Sequence, residues 1–150
     1  MSGKALLVLL AGLLVAGSPA LAQKKPAHSA PAKKAAGVPA ALLAQGKSVY
    51  AQNCLTCHQA DGLGVDGLNP PLVKTDYVLG NKTRLTNVLL NGLQGVEIGG
   101  EAYHNVMPAQ ESLTDAQIAA VLTYVRNAFG NKASAVSPAE VKAVRATNKK

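Results

Sequence analysis

Eight glycines fall between His58 and Met107, among them Gly62, Gly64, Gly67, Gly99 and Gly100. Each would weaken a helix or strand interior by roughly 0.5–1 kcal/mol relative to alanine, so this stretch reads as mostly loop. Helical patterns flank it. A first helix is expected over Ala40–Asn53, with Pro39 at its first position and Leu43, Gly46 and Tyr50 on one stripe. A last helix is signalled by the capping box Thr114-Asp-Ala-Gln117 and by the staple pair Leu113 and Ile118. Ile118, Val121, Leu122, Val125 and Phe129 then recur at helical spacing, and Gly130 marks the stop. A middle helix is expected over Arg84–Asn91, with Leu85, Val88 and Leu89 facing in and Gly92 ending it. No alternating strand pattern stands out. Three or four short helices and five aromatics (Tyr50, Tyr77, Tyr103, Tyr124, Phe129) make a thin core for so much loop. Domains this small often need a staple or a cofactor.

The charge of the chain, +7 over 150 residues, is unevenly placed. Residues 1–22 read as a cleavable export signal: Lys4 in a basic start, an apolar run of 13 residues from Ala5 to Gly17, then Ser18-Pro-Ala-Leu-Ala22 with cleavage before Gln23. That run is shorter than the ~20 apolar residues a membrane span needs, and no cysteine follows the cut to take a lipid anchor. Residues 23–38 form an Ala/Pro/Lys linker with a charge of +4 and nothing bulky enough to anchor a core. Residues 131–150 read as a basic C-terminal tail, also +4. There Ser137-Pro-Ala-Glu140 either caps a short helix through Arg145 or simply ends the fold. The segment between, 39–130, holds five bases and seven acids, a charge of −2. All five aromatics lie in this acidic segment, whereas a nucleic-acid binder interleaves them with basic residues on the domain surface. Nucleic acid is therefore excluded as the main partner.

The staple is offered by Cys54-Leu-Thr-Cys57-His58. This C-x-x-C-H pattern is the attachment signature for c-type haem. Two thiols three positions apart at a helix end can add to the two vinyl groups along one porphyrin edge, and the adjacent imidazole then sits under the iron. The motif lies in an exported chain and uses its only two cysteines. The competing readings are weaker. A Cys54–Cys57 disulfide would close a tiny loop and stabilise little. A thioredoxin-like pair wants a βαβ context, and a zinc site would need Cys54, Cys57, His58 and His104 together. A second iron ligand is expected at Met107, the one methionine after the signal, in the loop Tyr103-His-Asn-Val-Met107-Pro108 just before the last helix. His104 is the competitor. His28 belongs to the linker and is expected to be solvated.

These residues resemble a class I cytochrome c of the small bacterial, monohaem type, over nearly all of 39–130. The matching features are the helix with Gly46 and Tyr50, Cys54-x-x-Cys57-His58, Asn69-Pro-Pro-Leu72, Gly92-x-x-Gly95, Tyr103-x-x-x-Met107-Pro108, and the Leu113-Thr-Asp-x-Gln-Ile118 helix with Tyr124. The resemblance implies an all-α fold, three to four short helices and Gly-rich loops wrapped around one covalent haem c. It implies that the first and last helices cross at Gly46, so that Gly46 and Tyr50 meet Val121 and Tyr124. It further implies a loop proline carbonyl accepting the His58 N–H, with Pro71 the best match and Pro70 the alternative. The chain departs from the family in having no tryptophan. This leaves Arg84, Lys74 and Tyr77 as candidate propionate partners. The Lys-rich ring of some relatives is also missing. The wording of Gly92–Gln110 is similar to cytochrome domains that accompany periplasmic dehydrogenases and nitrite reductases.

The function so implied is a periplasmic, non-enzymatic electron carrier, with covalent attachment at Cys54 and Cys57 and axial ligation by His58 and Met107. Leu63, Leu68, Leu72, Leu85, Leu89, Val106 and the last helix are expected to line the haem pocket, and docking to use the haem edge near Cys54–Cys57. The expected partners are a redox donor and acceptor, either a dehydrogenase, a reductase or a terminal oxidase, met as a monomer. Membrane contact is at most peripheral. The alternatives are a small subunit held permanently by a larger redox enzyme, and a haem peroxidase or gas-binding protein with a labile Met107. The second of these would use His104 or Glu101 as the distal group.

Overall fold

The computed structural model describes residues 37–148. The expected export signal (1–22), the linker up to residue 36 and His28 lie outside the described residues. Within them no helix is long and apolar enough to cross a membrane.

The fold is built on one helix crossing. Helix α1 (Ala40–Asn53), with Pro39 as its N-cap, packs across α5 (Asp115–Val125), which starts in the expected capping box of Thr114 and Gln117. A Cβ placed on Gly46 would run into the Ala120 carbonyl oxygen and come within 2.6 Å of the Tyr124 Cβ. The small residue is what lets the two backbones touch. Its backbone partner is Ala120 rather than the expected Val121, while Tyr50 does meet Tyr124, their rings 5.6 Å apart. Helix α5 stops at Val125, earlier than the run to Phe129 suggests. Phe129 then adopts a left-handed φ of 56° and folds back on Tyr50 and Tyr124, with centroids 5.4 and 5.8 Å away. Tilted and edge-on aromatic packing of this kind is the favoured geometry. Gly62 accommodates it, since a Cβ there would meet the Phe129 ring at 2.6 Å.

Two single-turn helices, α2 (Leu55–His58) and α3 (Asp76–Leu79), and α4 (Lys82–Asn91) complete the expected region. Asn81 caps α4 two residues ahead of the expected start, by accepting from Arg84 N. The region also holds a hairpin that the sequence pattern does not announce. β1 (Val96–Ile98) pairs antiparallel with β2 (Glu101–Tyr103) around Gly99-Gly100. Strands of three residues are too short to show alternation.

The segment read as a basic tail is part of the packed domain. Helix α6 (Pro138–Thr147), capped by the Ser137/Glu140 box, lies on α4 and α5 and buries Val136, Val141 and Val144. Its charges are spent on anchoring: Lys82 pairs with Glu140 at 3.0 Å and Arg145 with Asp115 at 2.8 Å. Burial of apolar residues outweighs what the charge count suggests.

Between α5 and α6 a buried polar knot replaces regular structure. Arg126 is 3% exposed and donates to the carbonyls of Val78, Gly80 and Ser134. Asn131, equally buried, donates to Leu72 O at 2.9 Å and Val125 O at 2.7 Å and accepts from Lys74 N at 2.8 Å. Asn131→Ala strands these three backbone groups. Each stranded group costs roughly 1–3 kcal/mol, so a loss of about 3 kcal/mol is expected in equilibrium urea unfolding. A loss below about 1 kcal/mol would mean that water replaces the amide without penalty.

Candidate functional site

The site starts where α1 ends. Cys54 N still donates to Tyr50 O at 2.9 Å, the helix breaks, and α2 turns once so that His58 N donates to Cys54 O at 2.9 Å. That turn puts Cys54, Cys57 and His58 together on the wall of a cavity of about 1100 Å³, its open mouth included. The two cysteines are not joined to each other; Cys54 is half-buried and Cys57 exposed.

His58 is 8% exposed. Its Nδ1 lies 3.0 Å from the Pro70 carbonyl. A carbonyl only accepts, so the ring proton sits on Nδ1 and Nε2 keeps its lone pair for a metal. The acceptor is Pro70, the alternative, and not Pro71. The loop is pinned by Val65 N donating to Asn69 O (2.9 Å) and Leu72 N donating to Gly62 O (2.7 Å), which presents the Pro70 carbonyl to the imidazole. Pro71 instead lines the cavity. Burial pulls the His58 pKa down, against the Pro70 hydrogen bond, and holds the ring neutral. Burial, aided by Cys57, pushes the Cys54 thiol up to about 11.

Met107 reaches the same cavity from the loop before α5. The loop is tied to the end of α4 by a pair of bonds between Leu93 and Met107 (2.8 and 3.0 Å) and by Gln110 N donating to Leu89 O (2.6 Å). His104 is not brought to the site. It is exposed, does not line the cavity, and its backbone N donates to Gly67 O. The four-ligand zinc set is therefore not assembled, and among the described residues no cluster of three or more His, Cys, Asp or Glu is placed to hold a metal. Glu101 is likewise outside the cavity, bonded to Gly67 N and Tyr103 Oη.

The rest of the lining is mostly apolar, with Asn53, Asn69, Thr75, Asn105 and Gln110 among its polar members. Leu72, Leu85, Leu89 and Val106 contribute as expected, joined by Val78, Val88 and Leu93 and by Val121, Leu122 and Val125 of α5. Leu63 and Leu68 do not contribute: they are 56% and 44% exposed and stand outside the mouth. The tight turn through Gly64 carries them outward. Of the three candidate propionate partners, only Tyr77 lines the cavity. Arg84 lies 4.2 Å over its ring and is committed to Asp76. Sequence reasoning missed Asn87, whose buried Oδ1 has no hydrogen-bond partner among the described residues and which sits beside the cavity residue Val88. Nothing in the sequence distinguishes it from a solvated helix residue.

This donor set fits a haem. Two thiols stand at one rim, a neutral imidazole nitrogen and a soft thioether share the cavity, and the walls are dry enough for a large apolar macrocycle.

Comparison with known proteins agrees with this geometry. The cytochrome c family model matches residues 43–129. Cytochrome c-552 of Thermus thermophilus is 42% identical over 93 residues, covering 59% of this chain and 70% of the relative. The fructose dehydrogenase cytochrome subunit of Gluconobacter japonicus is 36% identical over 115 residues, 69% of this chain but 22% of that protein. The cbb3-type cytochrome c oxidase subunit CcoP of an Azospirillum species is 38% identical over 101 residues, 62% of this chain and 31% of the relative. The match spans the crossing of α1 and α5, the Cys54–His58 turn and the Met107 loop, and on this ground the chain belongs to the cytochrome c family, as a class I monohaem electron carrier whose cofactor is covalently bound haem c.

Proposed function

We propose that Cys54 and Cys57 hold the haem as thioethers, that His58 and Met107 are its axial ligands, and that the protein passes single electrons between periplasmic redox proteins. The observation that carries this reading is the shared cavity. His58 lines it with its Nδ1–H donated to the Pro70 carbonyl, which leaves the Nε2 lone pair for a metal, and Met107 lines it while His104 does not. When bound, the group supplies a one-electron Fe(II)/Fe(III) couple. This chain's residues keep the site for electron transfer alone. Met107 would hold the iron's remaining position against other molecules, and the mostly apolar walls with a thioether ligand would favour Fe(II) and raise the potential.

Docking is assigned to the cavity mouth. Val106 lines it and is 64% exposed, Leu55, Leu63, Val65 and Leu68 are exposed apolar side chains of the neighbouring 55–68 stretch, and backbone bonds from His104 and Asn105 to Gly67 and Leu68 tie the two loops into one surface. Transient redox contacts are small, which suits a free carrier. The same group of exposed apolar side chains also favours a second reading, a cytochrome held permanently by a larger enzyme. The dehydrogenase and oxidase subunits among the relatives support it. The proposed partners are accordingly a dehydrogenase as donor and a terminal oxidase or reductase as acceptor. Export by cleavage before Gln23 would place the protein with them, and N-terminal sequencing of material from a periplasmic extract tests that location.

The test of the ligand assignment is a visible spectrum, oxidised, reduced and with CO, on the wild type and Met107→Ala. The wild type is expected to show a weak far-red iron–sulfur band when oxidised and, because CO can enter only as slowly as Met107 leaves, no CO response in a spectrum recorded at once after mixing. Met107→Ala should keep covalent haem, lose that band, bind CO, and fall in potential by on the order of a hundred millivolts or more, within the roughly 0.8 V range that axial ligands control. A variant with its far-red band intact and no CO response would reject Met107.

A further inference from the structure

Helix α6 lies beyond the stretch that the family model matches, yet one of its side chains reaches the loop that carries Met107. Arg145 Nε donates to Asp115 Oδ1 at 2.8 Å, one terminal nitrogen donates to Glu111 O at 3.0 Å, and the other to Leu113 O at 2.7 Å. The three acceptors lie four to eight residues after Met107, in the run that joins it to α5. Together they engage all three nitrogens of the guanidinium fork, and an ammonium could satisfy only part of the set. The first half of the same loop is tied to Leu93 and Leu89 on the α4 side. Arg145 thus closes the second end of a segment that would otherwise have its connection to α5 alone.

We propose that Arg145 is a positioning residue for Met107: by clamping Glu111, Leu113 and Asp115 it keeps the ligand loop shut and slows release of the thioether from the iron. This rests on the assignment of Met107 as an axial ligand. The clamp is separate from the other anchor of α6, where Lys82 Nζ donates to Ala135 O at 2.6 Å and Glu140 at 3.0 Å without touching the Met107 loop. The two anchors therefore distinguish loop control from general stability.

The experiment measures the rate of CO binding to the reduced, haem-loaded protein, because CO can enter only when Met107 leaves. Arg145→Gln is expected to raise that rate about tenfold, the order expected for loss of a charge-assisted set of hydrogen bonds, and to lose the far-red band at lower urea than the helix signal. Arg145→Lys should recover part of the slow rate and keeps the test usable if the glutamine variant accumulates poorly. Lys82→Met should lower the urea midpoint and leave the CO rate unchanged. An Arg145→Gln rate equal to wild type overturns the proposal, as does a Lys82→Met rate raised by the same factor. Failure of the underlying assignment looks different: the wild type would lack the far-red band, and Met107→Ala would leave CO binding as it was.

Discussion

A chain carrying Cys54→Ala and Cys57→Ala together is expected to lose covalent haem and, with it, the cooperative fold. The haem c of this family occupies what would be the centre of the hydrophobic core. Val78, Leu85, Leu89, Val121, Leu122 and Val125 all turn part of their surface to the cavity rather than to one another. Fully burying such a side chain contributes roughly 1.5–3 kcal/mol. Losing contacts worth about a third of that at each of the six positions comes to roughly 3–6 kcal/mol, comparable with the lower end of the stability of a small domain, about 5–15 kcal/mol. Partial collapse could recover some contacts, but α1 and α5 are locked by the Gly46 crossing and α6 closes the far side, so the walls have little room to move inward. The measurement is haem retained on the polypeptide after acid–acetone extraction, together with far-ultraviolet circular dichroism and urea unfolding. The expected result is no retained haem, and residual helix that melts over a broad, non-cooperative range. A haem-free variant that unfolds in one sharp transition with native helix content would show that the helices make a sufficient core alone.

Much of this architecture is legible in the residues. Both capping boxes, Thr114/Gln117 and Ser137/Glu140, are four-residue patterns whose partners lie within one turn, and both form as written. Gly46 is readable for a different reason. A glycine in an otherwise sound helix demands an explanation, and a close backbone approach is the one available. The site is legible where its geometry is local, as in Cys54–Cys57–His58, and harder to read where it depends on chain reversal. Whether Pro70 or Pro71 faces His58 turns on the pinning of the 62–72 loop, which a dipeptide cannot show. Leu63 and Leu68 look like pocket residues by composition and stand in solvent for the same reason. Arg126, Asn131 and Arg145 are invisible in the sequence because their partners are not near in it: Asn131 reaches back 59 residues to Leu72 and Arg145 32 residues to Leu113. The reading of 131–150 as a tail shows how far net charge misleads. Val136, Val141 and Val144 of this segment are buried, whatever its charge count.

Gly46 also yields a test in which local and tertiary physics predict opposite signs. By helix propensity alone, Gly46→Ala should stabilise α1 by about 1 kcal/mol, and it also restricts the unfolded chain. By packing, the new methyl group overlaps the Ala120 carbonyl and lies 2.6 Å from the Tyr124 Cβ. Neither neighbour is the free end of a flexible side chain. One is the backbone of α5, and the other is held in the aromatic cluster with Tyr50 and Phe129. Relief requires α1 and α5 to separate, which opens the core along their whole contact. Overpacking of this kind costs roughly 1–3 kcal/mol and more where the backbone must move. After subtracting the propensity gain from the upper end of that cost, a net loss of about 2 kcal/mol is expected in urea unfolding of the haem-loaded protein. Ala44→Gly, on the exposed side of α1, isolates the propensity term and should cost only about 1 kcal/mol. Because α5 also walls the haem cavity through Val121, Leu122 and Val125, the strain should reach the site. The oxidised far-red band of Gly46→Ala is expected to weaken or shift, while that of Ala44→Gly stays as in the wild type. An alanine at 46 that stabilises the protein would mean that the two helices can slide apart at little cost, and that the crossing is held by the side chains around Gly46 and not by the backbone approach itself.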